Sequence, residues 1–322
     1  MGKLSKDKRD IYYRLAKQNN YRSRAAYKLI QVDSHFNLLE NSSLIVDLCA
    51  APGGFSQVCS QRLKDKPNKK IISVDLQEIA PIEGVDIIVG DITNQETLQK
   101  ILLLGGNQKV DLVLCDGAPD ITGFNEFDVY VQSQLVLTAL NISIRMLKEG
   151  GNFVTKFYKG KYSDKIMKIF LTCFNKITIS KPKACRNASF ESFIVCEGFK
   201  LNHPDIKKLN ESPLGEEDMI ILNNIKMLDD NKKEDDKEDD DDNILSEFNY
   251  EKYGIETIQV GLEEFDSDKS YDLQCTNYNQ VLNPVQMPIN PPYKSYIKTY
   301  KGKWLKYIKI LVFFILKKYM FY

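Results

Sequence analysis

From residue 43 to residue 199 the chain alternates short apolar runs with stretches of helical spacing. The runs are "SLIVDLC" (43–49), "KIISVDL" (70–76), "GVDIIVGD" (84–91), "VDLVLCD" (110–116), "GNFVTKF" (151–157), "KITIS" (176–180) and "FESFIVCEGF" (190–199). Apolar runs of this length suit strands covered on both faces, as in a parallel sheet. Helices fit between them, most clearly over 126–148, where Val129, Gln132 or Ser133, Val136, Leu140 and Met146 or Leu147 follow one stripe. Ahead of the first strand, residues 22–39 place Ala26, Leu29, Ile30, Val32 or Asp33, and Phe36 at helical spacing, which predicts an amphipathic helix. Strand and helix in alternation predict an α/β fold, a mostly parallel sheet with helices on both faces. The first five strands read as successive βα units. The last two are separated by little more than "KPKACRNAS", so a seven-stranded sheet ending in an antiparallel hairpin is expected.

After about residue 205 the pattern decays. Residues 226–243 are acidic and of low complexity, too charged to bury, and read as a disordered insertion or linker. Residues 283–296, "NPVQMPINPPYKSY", read as extended proline-rich coil. The expected organisation is a domain over 1–205, an extension over 206–300 that holds the acidic insertion, and a basic, apolar tail over 301–322. Within that tail "ILVFFIL" (310–316) is far short of the roughly 20 residues that cross a bilayer, so no transmembrane span is expected.

Charge changes the picture. The 322 residues sum to zero, but residues 229–242 hold ten acids and three lysines, a net −7, so the rest of the chain carries +7. The positive charge concentrates at residues 1–35, nine Lys/Arg against three Asp, and at 294–322, eight Lys and no acid. A polyanionic partner fits such segments. The seven cysteines form no C-x-x-C pair and only two histidines accompany them, which points away from zinc and from a disulfide framework and toward a reducing compartment. The start lacks the apolar core of a secretory signal.

The candidate chemistry begins at "VDLCAAPGGFSQ" (46–57). In an open parallel sheet, ligands sit past the carboxyl ends of the strands where strand order reverses. Gly53 and Gly54 there would let the backbone approach a ligand closely, and four successive strands end in Asp47, Asp75, Asp91 and Asp116. The phosphate-binding patterns G-x-x-x-x-G-K-[ST] and G-x-G-x-x-G are absent, so a ligand with a ribose and an adenine but no phosphate fits better. S-adenosylmethionine is such a ligand, with Asp75 placed to accept from ribose hydroxyls. A sharper pattern joins Lys28, Asp116, Lys156 at the end of the fifth strand and Glu191 at the start of the last. A lysine within an apolar strand is costly unless paired or functional, and a structural salt bridge to Asp116 or Glu191 would account for it equally.

"DLCAAPGGFSQ", "VDLQEIAP" (74–81), "GDIT" (90–93), "CDGAPD" (115–120), "TKFYKG" (155–160) and "SFESFIVCEGF" (189–199) resemble the FtsJ-like ribose 2′-O-methyltransferases. The opening "KDKRDIYYRLAKQNNYRSRAAYKL" is similar to the eukaryotic branch that methylates the tRNA anticodon loop. The resemblance covers roughly residues 1–205 and implies a Rossmann-like S-adenosylmethionine-dependent fold. It implies a catalytic tetrad of Lys28, Asp116, Lys156 and Glu191, and a cofactor site of Gly53, Phe55, Asp75, Asp91 and Asp116, with Phe55 as a pocket wall where the family commonly has Trp. Lys156 is the expected proton acceptor, its neutral form favoured by Lys28 and partial desolvation and opposed by the two carboxylates. No metal is expected. The partners implied are tRNA and an accessory protein subunit, in the cytoplasm; DNA is disfavoured because it lacks the 2′-hydroxyl. Arg22, Arg24 and Lys17 are expected to meet phosphates, and Tyr12, Tyr13, Tyr21 and Tyr27 either to stack on bases or to pack their helix. The alternatives are the same chemistry on ribosomal RNA or an mRNA cap, and a non-catalytic RNA-binding scaffold that keeps the fold.

Overall fold

The structure, a computed structural model, describes residues 10–118, 125–187, 189–215, 217–225, 250–261, 265 and 267. The acidic insertion, the proline-rich segment and the tail lie outside the described residues. The first strand, β1 (Leu44–Leu48), is buried along its whole length. It is followed by β2 (Lys70–Asp75), β3 (Asp86–Val89), β4 (Val110–Cys115), β5 (Leu147–Tyr158), β6 (Phe174–Pro182), β7 (Glu191–Phe199) and β8 (Glu256–Val260). Their order across the sheet is β3-β2-β1-β4-β5-β7-β6-β8. The pairs among β1 to β5 are parallel, β7 runs antiparallel between β5 and β6, and β8 lies parallel to β6.

Among the described residues the sheet therefore has eight strands where the apolar pattern predicts seven. β8 escapes that pattern because an edge strand is wet on one side: in "ETIQV" only Val260 is buried. The step from β2 to β3 also departs from expectation, crossing residues 76–85 without a helix.

The helices among the described residues are α1 (Ile11–Gln18), α2 (Ala26–Phe36), α3 (Gly54–Arg62), α4 (Gln95–Leu104), α5 (Asn125–Met146), α6 (Ser163–Cys173), α7 (Pro204–Glu211) and α8 (Asp218–Asn224). Strand alternation divides the core into two faces. Val46, Leu48, Ile72, Val74 and Val113 pack with α4, α5 and α6, while Ile45, Ile71, Leu112, Leu114 and Val154 pack with Ala26, Leu29 and Val32 of α2 and Phe55 and Val58 of α3. α7 and α8 join the first face through Ile206, Leu209 and Leu222. Behind them Arg145 bonds Asp218 at 2.8 Å and the carbonyl of Ser212 at 2.9 Å, a buried clamp that fixes the segment after β7 to α5. None of the described helices is long and apolar enough to cross a membrane.

α1 adds an element the periodicity does not announce. Asp10 caps it by accepting from the Tyr13 amide at 3.1 Å, and Ile11, Tyr12 and Ala16 are buried. Tyr12, Tyr21 and Tyr27 pack against one another, with ring centroids 5.5 and 5.7 Å apart, so packing takes these three. Tyr13 remains exposed, with the Lys17 ammonium 5.7 Å from its ring.

Candidate active site

Strand order reverses between β1 and β4, and the carboxyl ends of these strands carry the turn 49–53 and Asp116 on one rim. β5 lies beside β4 and brings Lys156 to that rim two residues before the strand ends. Because β7 is antiparallel to β5, its first residue reaches the same rim: Glu191 pairs in register with Tyr158. α2 lies across α3 and over β6 and presents Lys28 from above. Four residues spread over 163 positions of sequence thus converge.

The array is tightly joined. Lys28 Nζ is 2.6 Å from Glu191 Oε1 and 3.5 Å from Asp116 Oδ1, and Lys156 Nζ is 3.1 Å from the same Oδ1 and 3.1 Å from the Asp116 carbonyl oxygen. The side chains are only 8 to 16% exposed, so the charges are largely shielded from water. Burial opposes the charge on Lys28, but the carboxylates of Asp116 and Glu191 outweigh it and hold the ammonium well above the ordinary lysine range. Burial likewise opposes ionisation of Glu191, yet Lys28 and then Lys156 bring its carboxyl down to about 2. Lys28 keeps its proton and Glu191 cannot hold one at neutral pH.

Three further side chains meet the array without having been singled out by the sequence. The Cys185 thiol donates to Glu191 Oε1 at 3.1 Å, the half-buried Tyr158 lies across from Glu191, and Phe190, 60% exposed, precedes it at the lip. Only an exposed aromatic beside a strand-opening carboxylate offered a signal.

The expected cofactor residues are placed less uniformly. Asp75 is half-buried at the end of β2, where Oδ2 accepts the Ala51 amide at 2.9 Å and Oδ1 the Gln77 amide at 2.8 Å, so each oxygen retains acceptor capacity. Asp91 follows β3, half-buried, and its Oδ1 accepts from the Thr93 amide and hydroxyl at 2.9 and 2.8 Å. Gly53 has φ +104°, which only glycine adopts readily. A Cβ on Gly53 would stand 2.7 Å from Ile82 Cδ1 and 3.1 Å from Arg22 Nη1, and one on Gly54 would collide with the Ser23 hydroxyl, so protein already occupies the space the pair leaves.

Phe55 is buried. It faces the core from α3, 3% exposed, with its ring 6.1 Å from that of Phe193, over which the Lys28 ammonium sits at 5.7 Å. Its ring thus packs beside the one that Lys28 covers. Arg22 and Arg24, expected on phosphates, are turned inward: Arg22 donates to three backbone carbonyls, and Arg24 to Asp10 and the carbonyl of Ala184. Lys17 alone of the three stays on the surface.

Asp47 is not at the rim. It lies inside β1, 1% exposed, accepting from Ser56 at 2.5 Å while its Oδ1 has no partner among the described residues. Burial, together with the nearby Asp116 and Asp75 charges, pushes its carboxyl up to about 7 despite the Ser56 bond. With the folded value above the ordinary 3.8, the folded chain binds the extra proton between those limits. Stability is therefore expected to fall as pH rises from 4 toward 7 and to stay lower above it. In Asp47→Asn that loss should disappear, flattening urea-unfolding stability across the window by an amount on the order of a few kcal/mol. Equal slopes for variant and unaltered chain would show that Asp47 is ionised throughout.

Comparison with known proteins agrees with this geometry. The family model for FtsJ-like methyltransferases matches residues 21–199. The chain is 39% identical over 298 residues to a tRNA (cytidine(32)/guanosine(34)-2′-O)-methyltransferase of Homo sapiens, covering 92% of this chain and 84% of that one. It is 37% identical over 319 residues to the Schizosaccharomyces pombe protein of the same name, covering 95% and 100%. A solved structure described as a ribosomal RNA methyltransferase from Plasmodium falciparum superposes with a TM-score of 0.52 at 28% identity, covering 56% of this chain and 98% of that one. The matched span contains the whole rim and all four members of the buried array, and the chain belongs to the FtsJ-like methyltransferase family.

Proposed function

We propose that this protein methylates ribose 2′-hydroxyls of the tRNA anticodon loop from S-adenosylmethionine, with Lys156 as proton acceptor and Lys28, Asp116 and Glu191 completing the catalytic set. The observation that carries the reading is the buried Lys28–Glu191 and Asp116–Lys156 array beside the strand-order switch. Nucleotides 32 and 34 are the proposed targets, as the names of the human and yeast relatives indicate for those proteins.

The cofactor fits the rim. Asp75 and Asp91 retain oxygens for hydroxyl and amino donors, Gly53 keeps the turn tight, and Leu76, 69% exposed directly after Asp75, offers an apolar face to a flat ring. When bound, S-adenosylmethionine supplies an electrophilic methyl on a sulfonium. The remaining tasks are alignment and removal of a proton from a weakly acidic alcohol. Asp116 engages Lys156 through both its carboxylate and its carbonyl, which fixes the amine. Neutral Lys156 takes the hydroxyl proton as the new bond forms, and the ammonium produced is stabilised by Asp116 and Glu191. Lys28 stays charged, balances one carboxylate throughout and holds both in place. Phe190 at the lip offers a stacking surface to a splayed base, as single-stranded RNA recognition uses.

The reading extends to an accessory protein subunit that positions the loop, as the family resemblance implies. It extends to the cytoplasm, where free thiols such as Cys49, Cys59 and Cys115 persist. The test incubates the full chain, with cell extract in a parallel arm, with methyl-labelled S-adenosylmethionine and unmodified tRNA. Label is expected on the riboses of nucleotides 32 and 34 and should vanish when those riboses lack the 2′-hydroxyl. Label on a base, or only on ribosomal RNA offered in the same assay, would overturn it.

A further inference from the structure

The segment between α1 and α2 is bonded at Asn20, Tyr21 and Arg22 to α3, the helix that the glycine turn opens. The Asn20 carbonyl accepts from Gln57 Nε2 at 3.1 Å, the Tyr21 hydroxyl donates to Gln61 at 2.8 Å, and the Arg22 amide donates to Gln57 Oε1 at 2.8 Å. Ser23 fills the space above Gly54. The Arg22 guanidinium then bridges two loops: Nη1 donates to the carbonyls of Pro52 at 3.2 Å and Ala80 at 2.6 Å, and Nη2 to that of Pro81 at 2.8 Å. One loop follows β1 and holds Gly53. The other follows β2 and begins with Asp75, whose carboxylate in turn accepts the Ala51 amide. A fork of fixed donors matched to three carbonyls is something only arginine provides, since a lysine ammonium is a single point on a flexible stem.

We infer that Arg22 is a positioning residue for the cofactor, setting the spacing between the glycine turn and the Asp75 loop, and not a phosphate contact. The inference rests on the cofactor reading above. Both loops that would hold the cofactor are tied through one side chain, and that side chain belongs to the strap leading into α2 and Lys28. Losing the fork removes the Arg22 tie between the loops and leaves only the Asp75–Ala51 bond across them, with the tetrad's own bonds in place.

The experiment compares the full chain with Arg22→Lys and Arg22→Ala, using S-adenosylhomocysteine as probe in calorimetry well below the unfolding transition, with steady-state kinetics on tRNA alongside. The expected result is a rise in the S-adenosylhomocysteine Kd and in the KM for S-adenosylmethionine of about tenfold or more in both variants, with kcat at saturating cofactor changed much less. The KM for tRNA and its salt dependence should stay put. A phosphate contact would behave oppositely: weaker tRNA binding, a salt slope reduced by about one, and unchanged cofactor affinity. That outcome overturns the assignment, as does a lowered Tm with unchanged S-adenosylhomocysteine affinity in the folded variants. Failure of the unaltered chain to bind S-adenosylhomocysteine would overturn the cofactor reading itself, whereas intact binding that Arg22→Ala leaves untouched overturns Arg22 alone.

Discussion

Lys156→Ala is expected to lower kcat for methyl transfer by ~10²–10⁴-fold, the usual contribution of a positioned general base. In the proposed reaction the substitution removes the amine that takes the hydroxyl proton, while Lys28 is held charged by Asp116 and Glu191. S-adenosylhomocysteine affinity should change by no more than about threefold, since the loss falls on an interaction made in the transition state. Lys156→Arg separates two roles that alanine confounds. Arginine keeps the positive charge and can still bond Asp116, but it does not give up its proton in proteins. If Lys156→Arg is as inactive as Lys156→Ala, the lysine acts by taking the proton. If it keeps most of the activity, the lysine acts as a fixed cation and the hydroxyl proton goes elsewhere. Single-turnover rates measured with the methyl-labelled cofactor distinguish the two.

The convergence of the tetrad was readable because strand ends in a doubly wound sheet share a rim, and the apolar runs located those ends to within a few residues. Lys28 was readable through the helix that precedes β1. What the pattern could not convey was the partner of each polar side chain. Arg22 and Arg24 look like phosphate contacts in a basic segment, yet backbone carbonyls of distant loops and the buried Asp10 claim them. Gly53 and Gly54 look bare for a ligand's sake, and the occupant is Ser23, Ile82 and Arg22. Asp47 reads as a rim acid because the run around it continues to Cys49, while its place in β1 turns it toward Ser56 under α3. Phe55 is a pocket wall only by the family resemblance, and its side chain lies on the buried face of its helix. β8 is too polar to register as a strand until β6 offers it an edge. Periodicity reports which face is buried, and these residues are decided by what lies across from that face.

Asp116→Asn is expected to remove activity and to destabilise the fold by about 3 kcal/mol or more, the scale for leaving a buried charge without its partner. Asp116 Oδ1 stands between two lysine nitrogens, 3.5 Å from Lys28 and 3.1 Å from Lys156. Asparagine keeps the shape and loses the charge, so Lys28 and Lys156, at 11 and 8% exposure, would be left with one carboxylate, Glu191. Against a total stability of about 5–15 kcal/mol such a loss is large and easily read from the urea midpoint. The double variant Lys28→Met/Asp116→Asn identifies the cause. Removing Lys28 takes away one of the stranded charges, so the double variant should recover part of the stability lost by Asp116→Asn alone, a coupling that independent sites would not show. An additive double variant would mean that Lys28 and Asp116 act independently and that the loss falls on the Asp116 carboxylate bond to Lys156, and an Asp116→Asn within about 0.5 kcal/mol of the unaltered chain would mean that Lys156 is already neutral in the resting enzyme. That last result would bear on the mechanism as well as the fold, because an acceptor already free of its proton has no charge for Asp116 to balance until the ribose hydroxyl delivers one.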